Sequence, residues 1–127
     1  MKVPPFLLRR LYVKGSLTAT ADGFTFQLQN KLGSGYAKRM LPLTLDGEPL
    51  DLTASSFEID GAETTFDAVS ESVPFTLAMN KTTTISYRGG AVAPGPHKVG
   101  LGFEVAGLGE LGFDFSDEAA ATERGAG

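Results

Sequence analysis

Gly23-Phe24-Thr25-Phe26-Gln27-Leu28-Gln29-Asn30 alternates apolar and polar side chains without a break. Phe24, Phe26 and Leu28 fall on one face; Thr25, Gln27 and Gln29 fall on the other. A period of two over this length predicts an antiparallel strand with one face on a core and the other toward water. Working outward, Met40-Leu41-Pro42-Leu43-Thr44-Leu45 repeats the pattern through Leu41, Leu43 and Leu45. Pro42 cannot donate to a ladder, so this strand is expected to lie at a sheet edge or to begin there. Asp46-Gly47 follows at once, and Ser56-Phe57-Glu58-Ile59-Asp60 ends in a second Asp-Gly at Gly61. Both dipeptides supply the positive-φ geometry of tight hairpin turns.

The second half reads the same way. Pro74–Met79 and Thr82–Tyr87 are β-rich runs around Asn80-Lys81, and Gly89–Pro96 is a turn-rich connection. Beyond it His97, Val99, Leu101, Phe103 and Val105 share one parity, and Leu111, Phe113 and Phe115 follow after Gly107-Leu108-Gly109. Residues 97–106 and 110–116 are therefore expected to pair as a hairpin. Helical evidence is confined to one short helix near 65–72, where Thr65 can cap and Phe66 and Val69 sit three apart. Residues 117–127 read as a frayed or disordered tail. The fold class expected is all-β: a single antiparallel β-sandwich over residues 1–116, jelly-roll or immunoglobulin-like, with about eight strands.

Composition bounds the function. With 127 residues the chain is one ordinary domain, and its 16 glycines and 7 prolines fit a turn-rich fold. It has no Cys and one His, which excludes disulfides, thiolate chemistry and a multi-histidine metal site within one chain. Eleven basic against fifteen acidic residues leave a net charge of −4, the wrong sign for nucleic acid. Arg9 and Arg10 interrupt the only apolar run near the start, so neither a secretory segment nor a membrane span is expected, and the cytoplasm is the expected compartment.

No catalytic residue and no metal site is predicted. His97 has the only side chain with a pKa naturally near neutrality, yet no triad motif surrounds it. Asp114, Asp117 and Glu118 read as a solvated acidic edge. Gly33-Ser34-Gly35 and Gly100-Leu101-Gly102 hold only the first half of a dinucleotide fingerprint. The loop Gly33–Arg39 gathers Tyr36, Lys38 and Arg39, which with His97 form the candidate ligand-binding set. Phe6-Leu7-Leu8 and Leu11-Tyr12-Val13 put apolar residues on both faces of any strand formed there. Such a strand needs a cover, either a partner or an irregular path into the core. Gly100, Gly102 and Gly112 share the parity opposite the apolar face, which calls for a close neighbour or a simple bend. Phe6, Leu8, Leu11, Gly100, Gly102 and Gly112 are thus the candidate interface.

The order Leu45-Asp46-Gly47-Glu48, Phe57-Glu58-Ile59-Asp60-Gly61, Phe75 and Pro94-Gly95-x-His97-x-Val99, closed by a glycine-bearing hairpin, resembles the small β-subunit of bacterial C-glycoside deglycosidases over residues 12–116. The N-terminal Pro4-Pro5 and the glycines of 100–112 depart from that pattern. The resemblance implies a non-catalytic β-sandwich supporting a larger metal-dependent, sugar-processing barrel subunit. That partner would hold the divalent metal, with no cofactor in this chain. Self-association is the other partner expected. The alternative function is a stand-alone carbohydrate- or small-ligand-binding module, which the absence of Trp disfavours.

Overall fold

The computed structural model describes residues 4–31 and 35–121. The protein is all-β with one short α-helix, α1, at Pro5–Leu8. Its strands in chain order are β1 Thr18–Ala19, β2 Phe24–Gln29, β3 Gly35–Ala37, β4 Arg39–Met40, β5 Thr44–Leu45 and β6 Glu48–Pro49. The second half supplies β7 Ser55–Ile59, β8 Ala62–Thr65, β9 Phe75–Leu77, β10 Thr82–Tyr87, β11 Gly95–Val105 and β12 Gly109–Ala121. Eight of these have three or more residues; β1, β4, β5 and β6 are two-residue pairings.

One sheet runs β6-β5-β11-β12-β1-β2-β10-β7-β8, with β4 added to β11, and β3 pairs β9 in a small second sheet. The large sheet curls. Five strand spacings separate β11 from β7, about 24 Å if the sheet were flat. Yet Phe75 of β9 lies 4.7 Å from Phe57 of β7 and 5.7 Å from Phe103 of β11, measured between ring centroids. The β3–β9 ribbon therefore bridges strands that only curvature brings together. Phe24, Phe26, Leu28, Phe57, Ile85, Val99, Leu101 and Phe115 fill the interior.

The alternation of residues 24–29 appears as the burial alternation of β2. Asp46 and Gly47 take φ of 51° and 91°, and Asp60 and Gly61 take 53° and 86°, so both Asp-Gly pairs turn hairpins, β5 into β6 and β7 into β8. Pro42 sits where the ladder is interrupted between β4 and β5, both of which pair with β11.

Three expectations need correction. The chain does not leave the fold at residue 116: β12 continues through Ala121, with Ala119 buried, and residues 122–127 lie outside the described set. Asp117-Glu118 suggested solvent, but the parity of Phe113 and Phe115 carries on through Asp117 to Ala119. The helix is not at 65–72, where Phe66–Ala68 form a single 3-10 turn without a side-chain cap. It lies instead in the N-terminal segment, α1 running into a 3-10 turn at Arg9–Leu11. That explains the apolar residues on both faces of an imagined strand, because Leu8 and Leu11, three apart, lie on one side of a helical turn.

This segment is pinned to β12. The Tyr12 ring stacks on Phe115 at 3.6 Å, and its hydroxyl donates to Asp117 Oδ2 at 2.7 Å. The Gly15 N–H donates to the same oxygen at 2.8 Å. Burial, and then the Asp117 carboxylate, push the Tyr12 phenol up to about 12. The folded pKa lies above the ordinary 10.0, so this contribution is complete below pH 10.0 and is lost as pH rises through about 12. An ultraviolet phenolate titration is expected to show one step near pH 12, coincident with loss of tertiary dichroism and absent from Tyr12→Phe. That variant should lose about 1 kcal/mol in urea unfolding at neutral pH.

Candidate functional site

A groove of about 360 Å³ opens on the outer face of the β11–β12 hairpin. Its floor is Gly100, Gly102 and Gly112; one wall is Pro5 and Arg9, and the other is Leu41, Pro42 and Thr44. The missing side chains let these walls approach. A Cβ on Gly100 would lie 2.3 Å from Thr44 Oγ1, one on Gly102 3.0 Å from Leu41 Cδ1, and one on Gly112 3.1 Å from the Leu101 carbonyl. The groups nearest these glycines are thus this chain's own β5 segment and hairpin backbone.

Of the other interface candidates, Leu8 and Leu11 are buried at 5 % and 3 % exposure, spending their side chains on the core. Phe6, on the same short helix, is 65 % exposed beside the Pro5 wall. Arg9 closes that end, donating from Nε to the Asp114 carbonyl at 2.6 Å.

The ligand-binding candidates do not converge. Residues 35–37 and 39–40 are strands joined by a bend at Lys38 rather than a flexible loop, while Gly33 and Ser34 lie outside the described set. Tyr36 is exposed on β3. Lys38 and Arg39 turn to carboxylates instead: Lys38 lies 3.8 Å from Glu104, and Arg39 donates to Glu104 at 2.8 Å and to Glu110 at 3.2 Å. The Arg39 hydrogen bond holds Glu104 below the usual carboxylate range. His97 is seven residues along β11 from Glu104, about 23 Å at 3.3 Å per residue.

His97 meets two acceptors. Nδ1 lies 2.7 Å from Asp46 Oδ2, and Nε2 lies 2.7 Å from the Ala93 carbonyl. Both contacts, Asp46 first, raise its pKa above 6.5. Asp46 also accepts the Lys98 N–H at 2.8 Å and is lowered chiefly by it. A second hollow, lined by Thr53, Ser56, Glu63, Thr65 and Arg88, is closed electrostatically. Ser56 Oγ and Arg88 both donate to Glu63 Oε2 at 2.5 Å and hold that carboxyl down, a poor base. Among the described residues no group of three or more His, Asp or Glu is placed to hold a metal ion.

The sequence profile of the hydroxymethylglutaryl-CoA reductase N-terminal domain matches residues 7–120. The chain belongs to that family. No curated protein matches it. Membership in the hydroxymethylglutaryl-CoA reductase N-terminal domain family overturns the likeness to C-glycoside deglycosidase small subunits. With that likeness go the sugar-processing barrel partner and the carbohydrate-binding alternative. The motifs behind the likeness are local devices: two are hairpin turns, and Pro94-Gly95-x-His97 belongs to the His97 contacts.

The glycine floor makes a double-variant test available. Gly100→Ala should displace the Thr44 hydroxyl and cost roughly 1–3 kcal/mol in urea unfolding. Adding Thr44→Ala removes the clashing oxygen and should restore most of the loss. A Gly100→Ala variant as stable as the parent would contradict the packing described.

Proposed function

We propose that the chain is a non-catalytic β-domain that works with the reducing part of a hydroxymethylglutaryl-CoA reductase, on the same or a separate polypeptide. The domain docks there rather than holding the coenzyme A substrate. The match over residues 7–120 carries this reading. Its electrostatics support the division of labour. A coenzyme A thioester brings several phosphate charges, and a site for it needs cations free to meet them. Of nine described Lys and Arg residues, Arg9, Lys38, Arg39, Lys81, Arg88 and Lys98 each lie within 3.8 Å of a carboxylate. The net charge of −4 adds a further repulsion.

The docking face is the groove and the exposed Phe6 beside it, an aromatic anchor next to an apolar recess. Among the described residues no helix is long and apolar enough to cross a membrane. A cytoplasmic location belongs to this proposal.

The experiment is a sedimentation titration of the chain with the catalytic part of a hydroxymethylglutaryl-CoA reductase from the same genome. Calorimetry of the chain with hydroxymethylglutaryl-CoA alone runs beside it. A complex should form, weakened roughly 30-fold by Phe6→Asp with the thermal melt of the isolated chain unchanged. The thioester alone should give no binding heat. Absence of a complex, or tight binding of the thioester by the isolated chain, would overturn the reading.

A further inference from the structure

The two contacts of His97 have a consequence in protonation. Ala93 offers a carbonyl oxygen, which can only accept, and Asp46 offers a carboxylate oxygen whose neighbour already accepts the Lys98 N–H. A neutral imidazole has one N–H, so one ring nitrogen would then face an acceptor lone pair to lone pair. Only the imidazolium donates to both. We propose that His97 is a pH-operated clasp: protonated, it fastens the 88–94 loop to β11 through Ala93, and deprotonation releases that loop while the Asp46 turn stays docked.

The loop is the side that yields. The Asp46 turn is held to β11 independently, by the Lys98 N–H on Asp46 Oδ1 and by the Asp46 N–H on the Lys98 carbonyl at 2.7 Å. A proton retained on Nδ1 keeps the charge-assisted bond to the carboxylate, the stronger of the two. The 88–94 loop is tied at its start, where Arg88 also pairs with Glu63. Arg88 N–H reaches the Ala54 carbonyl and Gly90 N–H the Asp22 carbonyl, both at 2.9 Å, and Val92 packs only partly against the core.

The charged groups around the ring favour the imidazolium. Asp46 faces it from the β5–β6 turn. Asp117 stands opposite His97 in the β11–β12 register, its carboxylate engaged by Tyr12, Gly15 and Glu118. Lys14, from the N-terminal segment, acts on Asp117. Lys98 and Glu118 alternate to the other face of their strands, and Lys98 lies 3.7 Å from Asp114. With the folded pKa above 6.5, the clasp is closed below that value and opens as pH rises through the raised one.

The test follows the intact chain by NMR from mildly acidic to alkaline pH, reading the His97 ring protons together with amide exchange corrected for its intrinsic pH dependence. The His97 midpoint should lie above 6.5 and fall in Asp46→Asn. Through that midpoint the Gly90 amide should lose about tenfold in protection, while the Asp46 and Lys98 amides keep theirs. In His97→Gln the Gly90 step should vanish. A His97 midpoint at or below 6.5, unchanged Gly90 protection across it, or a step that persists in His97→Gln would each overturn the proposal. The wild-type titration alone decides it if the variants fail to fold.

Discussion

The Asp117 carboxylate is the tie that supports the junction of the sheet at β1. One oxygen accepts from the Tyr12 hydroxyl and the Gly15 N–H, and the other from the Glu118 N–H. These bonds set residues 12–17 against β12 just before β1 pairs in parallel with its last residues, Thr18 with Ala120 and Ala19 with Ala121. A parallel ladder of two residues is too short to stand alone. The carboxylate and the Tyr12–Phe115 stack supply what the ladder lacks. The order of the large sheet passes through β1, which joins the β11–β12 hairpin to β2, β10 and β7. β1 is thus the strand through which the two halves of the sheet are hydrogen-bonded to each other.

Packing on the hairpin is asymmetric, and the asymmetry makes the surface. Val99, Leu101, Phe103, Leu111, Phe113 and Phe115 are buried on one side of it. On the other, the Gly100, Gly102 and Gly112 positions let Thr44 and Leu41 come within contact distance of the backbone. The same hairpin is thus thick toward the core and thin toward the outside. The groove is the space the thin side leaves between the β5 segment and the N-terminal helix.

What could be read from the residues was local. Alternation over 24–29 and the two Asp-Gly turns appear as expected, because period-two burial and positive-φ turns are decided by near neighbours. The course of residues 117–121 depends on a distant partner. Asp117 looked like a solvent residue, and its partner lies 105 positions away in Tyr12. The extension of β12 is not legible without that pairing. The helical turn at 5–11 shows only in the three-residue spacing of Leu8 and Leu11, which two apolar faces of a strand mimic. The glycine positions left a close neighbour and a simple bend both open, and local pattern could not say that Thr44 and Leu41 approach them. The family likeness drawn from turn motifs failed because such motifs report hairpin geometry, which unrelated β-proteins share.

The distribution of charge narrows what such a surface can do. Arg39 lies between Glu104 and Glu110, Arg88 holds Glu63, Lys81 holds Asp60, and Arg9 and Lys98 flank Asp114. Exposed pairs of this kind add little stability each. Their larger effect is to leave these cations without unopposed positive potential. A phosphate-bearing ligand would have to separate existing pairs to be bound by them. The proposed docking at the glycine-floored groove beside Phe6 accordingly relies on shape and apolar contact rather than on these paired cations.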